Sequence, residues 1–585
     1  MRALLDRIRP WWQAIPQTLC YQVVTKLVLA AALVGLRRLA AWTLASQGRV
    51  AVTSGDYLFL VTSWQGWVLL VLGLATLYAY VALDLNAQVA HAGHVVRGEP
   101  APVMRSIIEG AQAIRRFACP QGVLVVLYEA LLAPVVGVGM GISLTEGLRI
   151  PTFVSSVIQT TPTYLVAYTT ATVAFGLLGL MGIFCIHGVV LSGESVSEAR
   201  AHSAALMRAH WKDYLLQNLL FGLCMALASA AVMLLALALP RAAAHGLGCA
   251  PETLRLWTIF GCMAGIALGA VVGLLATPFA IIRLTQLYVG YLEGERRELP
   301  VRPPRVSRLA VAGVAVAFAG CMAMALVCNS YFDELFPATV GVRTIAHRGG
   351  GSEGPENTVD GLRAAARLGA WGSEIDIQRT ADGAYVVNHD DSFERTTGDA
   401  RTPGEMTLAE VRELRVDGEP VATYEDMLDA ARETGVVLFV ELKGVSADRQ
   451  MADDAVRIAR ERGMLDTCVF ISLDYRLVDY LEGAYPETQT GFLAWASYGD
   501  TAALNCDYLA LEELSSTSDA IDAVHAQGKQ IFVWTVNDRE TQRRFLCSEA
   551  DAIITDEVAQ ANEVAAELGA GGDIERVMDS LLAQM

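Results

Sequence analysis

The stretch RTIAHRGGGSEGPENT, starting at Arg343, decides how this chain is read. Up to Cys328 the sequence is dominated by apolar runs; here it turns to a short β-rich run, a histidine, an arginine and three glycines, a set suited to holding an anion. The glycines leave room for a ligand close to the backbone, and PENT opens a helix. Beyond it, short β-rich runs alternate with amphipathic, Ala- and charge-rich segments. The candidate strands are RTIAH, SEIDIQ, AYVVNH, VVLFVEL, CVFIS, TGFLA, DYLAL, QIFVWTV and DAIIT, with helical stretches such as 358–368, 424–432 and 452–461 between them. About 240 residues of alternating β and α predict a (β/α)8 barrel. Nine strands for eight places mean that one lies outside the barrel, and the link 378–384 is too short for a helix, so one crossover is irregular.

Working toward the N-terminus, the composition demands a membrane part. The chain has 585 residues, 53% of them hydrophobic, more than one ordinary soluble domain carries. A hydrocarbon core about 30 Å thick needs roughly 20 apolar residues per helix. Seven runs approach or meet this: 20–45, 66–85, 123–142, 163–191, 215–239, 257–282 and 309–328. Lys26, Arg37 and Arg38 interrupt the first, which either spans or lies in the interface. Glu129 and His187 inside later runs mark either a polar path or, with more weight, side chains paired across helices. The expected organisation is a multi-pass transmembrane α-helical bundle over 1–330, a barrel over 341–570 and a C-terminal tail over 571–585.

Basic residues set the expected orientation. The N-terminus (Arg2, Arg7, Arg9) and the segments holding Arg97 to Arg116, Arg200 to Lys212 and Arg296 to Arg308 are rich in arginine or lysine; those around Arg149, Arg241 and Arg255 are poor. Seven spans starting in the cytoplasm end outside it, so the barrel is expected on the extracytoplasmic face of the cell membrane. A net charge of −18 excludes a nucleic-acid partner, which needs a basic face. The 11 cysteines form no CxxC or Cys/His cluster, so no zinc site is expected; pairing among Cys468, Cys506 and Cys547 stays open.

In such barrels the working residues gather at the C-terminal ends of the strands. His347 and Arg348 end the first strand, Glu374 and Asp376 sit on the second, His389 and Asp390 end the next, and Glu441 and Lys443 end VVLFVELK. Glu374 and Asp376, two apart, point to one face of their strand. With Glu441 they form an all-oxygen set that suits a hard divalent cation, Ca²⁺ or Mg²⁺. Two histidines with Arg348 and Lys443 beside such a site suit phosphoryl chemistry on a diester, one imidazole removing a proton and the other protonating the leaving group. Each piece alone has a bland reading: a chance HRG, a solvated Glu-x-Asp, a surface ion pair. Together, in this order and at strand ends, they favour a site.

AHRGGGSEGPENT, SEIDIQRTADGAYVVNHDDSFERTTG, FVELKG, FVWTVND and ADAIITD resemble the successive motifs of the glycerophosphodiester phosphodiesterase family. The resemblance covers about Arg343 to Asp556. It implies a barrel of the phospholipase C-like phosphodiesterase type, with His347 and His389 as acid/base pair and Glu374, Asp376 and Glu441 as metal ligands. Arg348 and Lys443 then contact the phosphate, and Trp534 forms an aromatic wall beside the glycerol-binding end. The implied reaction splits a glycerophosphodiester into sn-glycerol 3-phosphate and an alcohol. GEPVATYEDML departs from the family pattern, and the part between Ser472 and Asp519 matches it loosely, which leaves the choice of alcohol open. The helical region resembles the membrane domain fused to some bacterial members. Lysophospholipids or envelope glycerophosphate polymers are alternative substrates, with membrane lipid as a further partner. A transporter or sensor domain with the barrel as its ligand-supplying module is the alternative of a different class.

Overall fold

A computed structural model describes residues 2–53, 61–100, 102–132, 152–294, 299, 308–336, 341–495 and 497–584. The chain forms two compact units: Met1–Leu39 with Trp64–Tyr331, and Ala40–Ser63 with Phe332–Met585.

In the first unit, among the described residues, six helices are long and apolar enough to cross a membrane: Ala14–Ser46, Trp64–Arg97, Pro162–Leu191, Val196–Gly246, Pro251–Glu293 and Ala312–Ser330. Local signals start and stop them. Ser195 and Glu198 make a reciprocal capping box, Pro251 occupies the first turn of its helix, and Gly294 ends that helix in the left-handed conformation. Leu216, Leu219, Leu234 and many similar side chains lie exposed along these helices, as surfaces facing lipid do. The run 123–142 begins in the helix Pro120–Leu127 and a π-helical turn, Tyr128–Leu132; its remainder lies outside the described residues. Thr285 donates its hydroxyl to Ile281, so His187 Nε2–H donates to Thr285 Oγ1 at 3.1 Å. His187 is thus a buried side chain paired across helices.

The second unit is built on a closed parallel barrel. Its strands are β1 (Arg343–Ala346), β2 (Gly372–Arg379), β3 (Val437–Leu442), β4 (Cys468–Ser472), β5 (Gln489–Ala494), β6 (Tyr508–Glu512), β7 (Gln530–Trp534) and β8 (Ala552–Thr555). Neighbours in sequence are neighbours in the sheet, and β1 pairs with both β8 and β2 to close the ring. The third run, AYVVNH, is the one outside: Tyr385–Val387 pairs antiparallel with the end of β2, forming a hairpin where a helix would be expected. The short link predicted over 378–384 is the turn of this hairpin, and the β2-to-β3 crossover, 380–436, is the irregular one, reaching its helix Tyr424–Thr434 only after the hairpin.

Alternation along the strands sorts the side chains. Ile375, Ile377, Leu438, Val440 and Leu442 pack outward against the helices, and Ile345, Phe439, Ile471, Leu493, Phe532 and Ile554 fill the barrel. Its lower interior is largely aromatic: Phe439 meets Trp371 at 5.5 Å and Phe532 at 5.4 Å, and Tyr508 stacks on Phe532 at 4.9 Å. Phe439 is fully buried, and Phe439→Ala is expected to destabilise this unit by about 3–5 kcal/mol, a fall readable in its thermal unfolding. The helix Asp573–Gln584 belongs to this unit, where Arg543 grips the buried Asp579 carboxylate with two hydrogen bonds of 2.6 and 2.8 Å. Cys468, Cys506 and Cys547 are all free thiols.

Candidate active site

The strand register sets Asp376 and Glu441 one layer above the aromatic floor and Glu374 at its upper edge. Glu374 lies level with Phe439 and Asp376 with Glu441, so the three inward carboxylates share two adjacent strands. They are buried, and one oxygen from each falls within 4.8 Å of the others. Arg348 N–H donates to Glu374 Oε2 at 2.8 Å, while Glu374 Oε1 is buried without a partner. Asp376 accepts from Lys443 Nζ at 2.9 Å and from Asn357 Nδ2 at 2.9 Å; Glu441 accepts from Lys443 at 3.3 Å.

Burial, then Asp376 and Glu441, hold the Glu374 carboxyl far above its usual range. Burial likewise pushes Glu441 up to about 7. Burial opposes ionisation of Asp376 too, but Lys443 and His389 outweigh it and keep its carboxyl low. Against its own desolvation, Lys443 is raised by the three acids around it. One cation among three buried acids leaves negative charge in excess, and the orphaned Glu374 oxygen needs a positive partner. The residues fit a divalent cation with oxygen ligands.

The hairpin after β2 exists to bring His389 back. Asn388 N–H donates to Asp376 O at 2.9 Å, and Gln378 Nε2 donates to the carbonyls of Asn388 and Asp390 at 2.7 Å each, fixing the turn. His389 Nε2 then lies 3.0 Å from Arg348 Nη2. A guanidinium only donates, so Nε2 carries a lone pair and Nδ1 the proton, which it donates to Asp390 Oδ1 at 2.8 Å. Burial lowers the His389 pKa in spite of that carboxylate. Asp390 is held low chiefly by the His389 bond and further by Arg395, which also binds Glu356 at 2.6 and 2.7 Å.

His347 follows β1. Its Nδ1 meets Asp556 Oδ1 at 2.8 Å, just past the end of β8. Burial opposes the charge on Asp556, but His347, Asn537 and Arg348 hold it ionised at about 2, so His347 donates from Nδ1. The two imidazoles stand 6.4 Å apart at 79°. Trp534, at the C-terminal end of β7, donates its indole N–H to Ala510 O at 2.8 Å and stands half-buried above the barrel core.

All eight residues expected from the sequence therefore lie at the C-terminal end of the barrel, seven of them joined around the triad. Sequence reading passed over Asn357, Glu356, Asp556 and Arg395. Asn357 adopts φ 55°, and Thr358 beside it caps the helix Val359–Arg367. PENT thus starts a helix and also supplies two site residues. An asparagine just before a cap was the available signal. The glycines are tight rather than roomy: a Cβ on Gly350 would meet Gly361 O at 2.4 Å, and one on Gly351, at φ +63°, would meet Asp556 O at 2.2 Å. They let backbone pack on backbone, and so hold Asp556 against His347.

Residues 347–560 match the family described as "Glycerophosphoryl diester phosphodiesterase family", and residues 7–320, over half of the chain, match "Membrane domain of glycerophosphoryl diester phosphodiesterase". The chain belongs to the glycerophosphoryl diester phosphodiesterase family. This phosphodiesterase is 25% identical over 226 residues to the glycerophosphodiester phosphodiesterase of Caldanaerobacter subterraneus subsp. tengcongensis, which takes in 36% of this chain and 93% of that protein. It is 34% identical over 113 residues to mouse glycerophosphodiester phosphodiesterase 1, 18% of this chain and 34% of the mouse protein. Among solved structures, it is similar to an Oleispira antarctica phosphodiesterase in complex with the product sn-glycerol-3-phosphate. That likeness has 24% identity and a TM-score of 0.36, over 38% of this chain and 96% of that one. With its apolar helices and membrane domain, this phosphodiesterase is a multi-pass membrane protein that hydrolyses glycerophosphodiesters.

Proposed function

We propose that the barrel splits glycerophosphodiesters into sn-glycerol 3-phosphate and an alcohol by paired histidine acid–base chemistry. The observation that carries this reading is the asymmetry of the two imidazoles. His389 presents a bare Nε2, and His347 is oriented by an ionised Asp556. His389 takes the proton from the attacking hydroxyl, the substrate's own glycerol hydroxyl, as phosphorus–oxygen bond formation begins. His347 delivers a proton to the departing alcohol oxygen, and the resulting cyclic phosphate is opened by water with the two roles exchanged. Arg348 and Lys443 meet the charge on the phosphoryl oxygens. Glu374, Asp376 and Glu441 would hold the divalent cation, Ca²⁺ or Mg²⁺, which when bound supplies further stabilisation of that charge. Trp534 walls the glycerol end. The distribution of arginine and lysine between the apolar runs supports an extracytoplasmic barrel.

Product analysis on glycerophosphocholine, lysophosphatidylcholine and a poly(glycerophosphate), with and without chelator, tests the reading. Glycerol 3-phosphate release from the first supports it, and no release from any diester in Ca²⁺ or Mg²⁺ removes it. Release only from the lysophospholipid keeps the chemistry and changes the substrate. Because burial lowers the His389 pKa, its base form persists to lower pH than that of a free imidazole, whose pKa is about 6.5. The acid limb of kcat/KM is therefore expected below that value, and a limb above it contradicts the assignment.

A further inference from the structure

A three-residue strand far upstream of the barrel is built into the catalytic unit. Ala51–Thr53, from the link between the helices Ala14–Ser46 and Trp64–Arg97, pairs antiparallel with Ser497–Gly499 in the loop after β5. The register sets Ala51 against Gly499 and Thr53 against Ser497, and Asp500 N–H donates to Val50 O at 3.1 Å. So short a pair is marginal by itself, but apolar packing secures it. Ala51 is buried among Phe492, Ala494, Ala502 and Leu504, and Val52 packs on Leu44. Gly499, at φ +106°, lies so close that a Cβ there would meet Val50 O at 2.6 Å and Ala51 Cα at 2.9 Å. Chain segments about 445 residues apart are thus fitted to each other.

In a parallel barrel the loop after β5 emerges at the same end as the triad. Strand order puts β5 to β7 across the mouth from β1 to β3, which carry the carboxylates. Trp495 opens this loop, its carbonyl accepting from Ser515 Oγ at 3.4 Å. This region is also the one that matches the family motifs loosely.

We infer that Ala51–Thr53 is a specificity-determining part of the catalytic unit: it sets the loop after β5, and through that loop the wall meeting the alcohol group of the substrate. The inference rests on the diesterase reading of the site. It also has a topological corollary. Ala51–Thr53 and the barrel strands then share one side of the membrane. Following the six described spans inward from both ends leaves Arg97 and Pro162 on opposite sides.

Two measurements on the full-length protein in detergent test this. Thr53→Cys with Ser497→Cys is expected to form an intramolecular disulfide on mild oxidation that neither single variant forms; failure to cross-link overturns the pairing. Gly499→Val and Val52→Asp, which disturb the pair from opposite partners, are expected to shift the ratio of kcat/KM for glycerophosphocholine over glycerophosphoglycerol by about tenfold, the scale of one pocket contact. The oxidised cysteine pair is expected to keep the wild-type ratio. An active wild type with an unchanged ratio in both variants removes the specificity role alone. A wild type inactive on every diester removes both this role and the diesterase reading, even where the disulfide forms.

Discussion

Replacing His389 by alanine is expected to lower kcat on glycerophosphocholine by about 10³-fold, within the range of about 10²–10⁴ that a positioned acid or base contributes. KM should change little, because His389 is placed to act on a proton rather than to grip the ground state. His347→Ala should cost a similar factor on the same substrate. The two part company when the leaving group changes. A p-nitrophenyl phosphodiester of glycerol expels an anion that needs no proton, so His347→Ala should recover most of its single-turnover rate of p-nitrophenolate release while His389→Ala stays impaired. The structural basis is the difference in hydrogen bonding: Arg348 Nη2 can only donate to His389 Nε2, whereas His347 is oriented through Nδ1 by Asp556. Equal recovery in both variants, or in neither, contradicts the division of roles.

The second large effect concerns the carboxylates. A saturating chelator is expected to abolish turnover, and added Ca²⁺ or Mg²⁺ to restore it. A readout independent of turnover is thermal unfolding of the barrel unit. A cation bound only by the folded state stabilises it by about 2.7 kcal/mol at 100 times its Kd. Wild type should show that gain, and Glu374→Gln should lose most of it, because Glu374 Oε1 is the buried oxygen without a protein partner. Glu374→Gln should also unfold at a higher temperature than wild type in chelator, since it removes a carboxyl whose ionised form burial, Asp376 and Glu441 disfavour in the folded state. A wild type whose unfolding ignores both cations would show that the triad serves something other than metal.

Which parts of this were legible in the sequence follows from the range of the forces involved. Period-two alternation told the inward Glu374 and Asp376 from the outward Ile375 and Ile377, because strand geometry forces that division locally. Nine strand-like runs were equally readable, and chain length alone showed that 378–384 cannot hold a helix. Asp556 was visible as the end of a motif, but its bond to His347 spans 209 positions and depends on barrel closure between β8 and β1. Asn357 was hidden behind a correct local reading, since PENT does open a helix. The glycines misled for a related reason: sequence marks where backbone comes close, not whether a ligand or another backbone does so. The pairing of Ala51–Thr53 had no signal at all, because three residues of β pattern are too few to stand out from a connecting link.

The aromatic floor made by Trp371, Phe439, Tyr508 and Phe532 fills the lower barrel, which leaves the end bearing the triad as the way in. Substrate and products then share the rim at the C-terminal ends of the strands, where the carboxylates and histidines stand. On the proposed reaction, glycerol 3-phosphate is therefore expected to inhibit competitively against the diester, with KM raised and kcat unchanged as it is added.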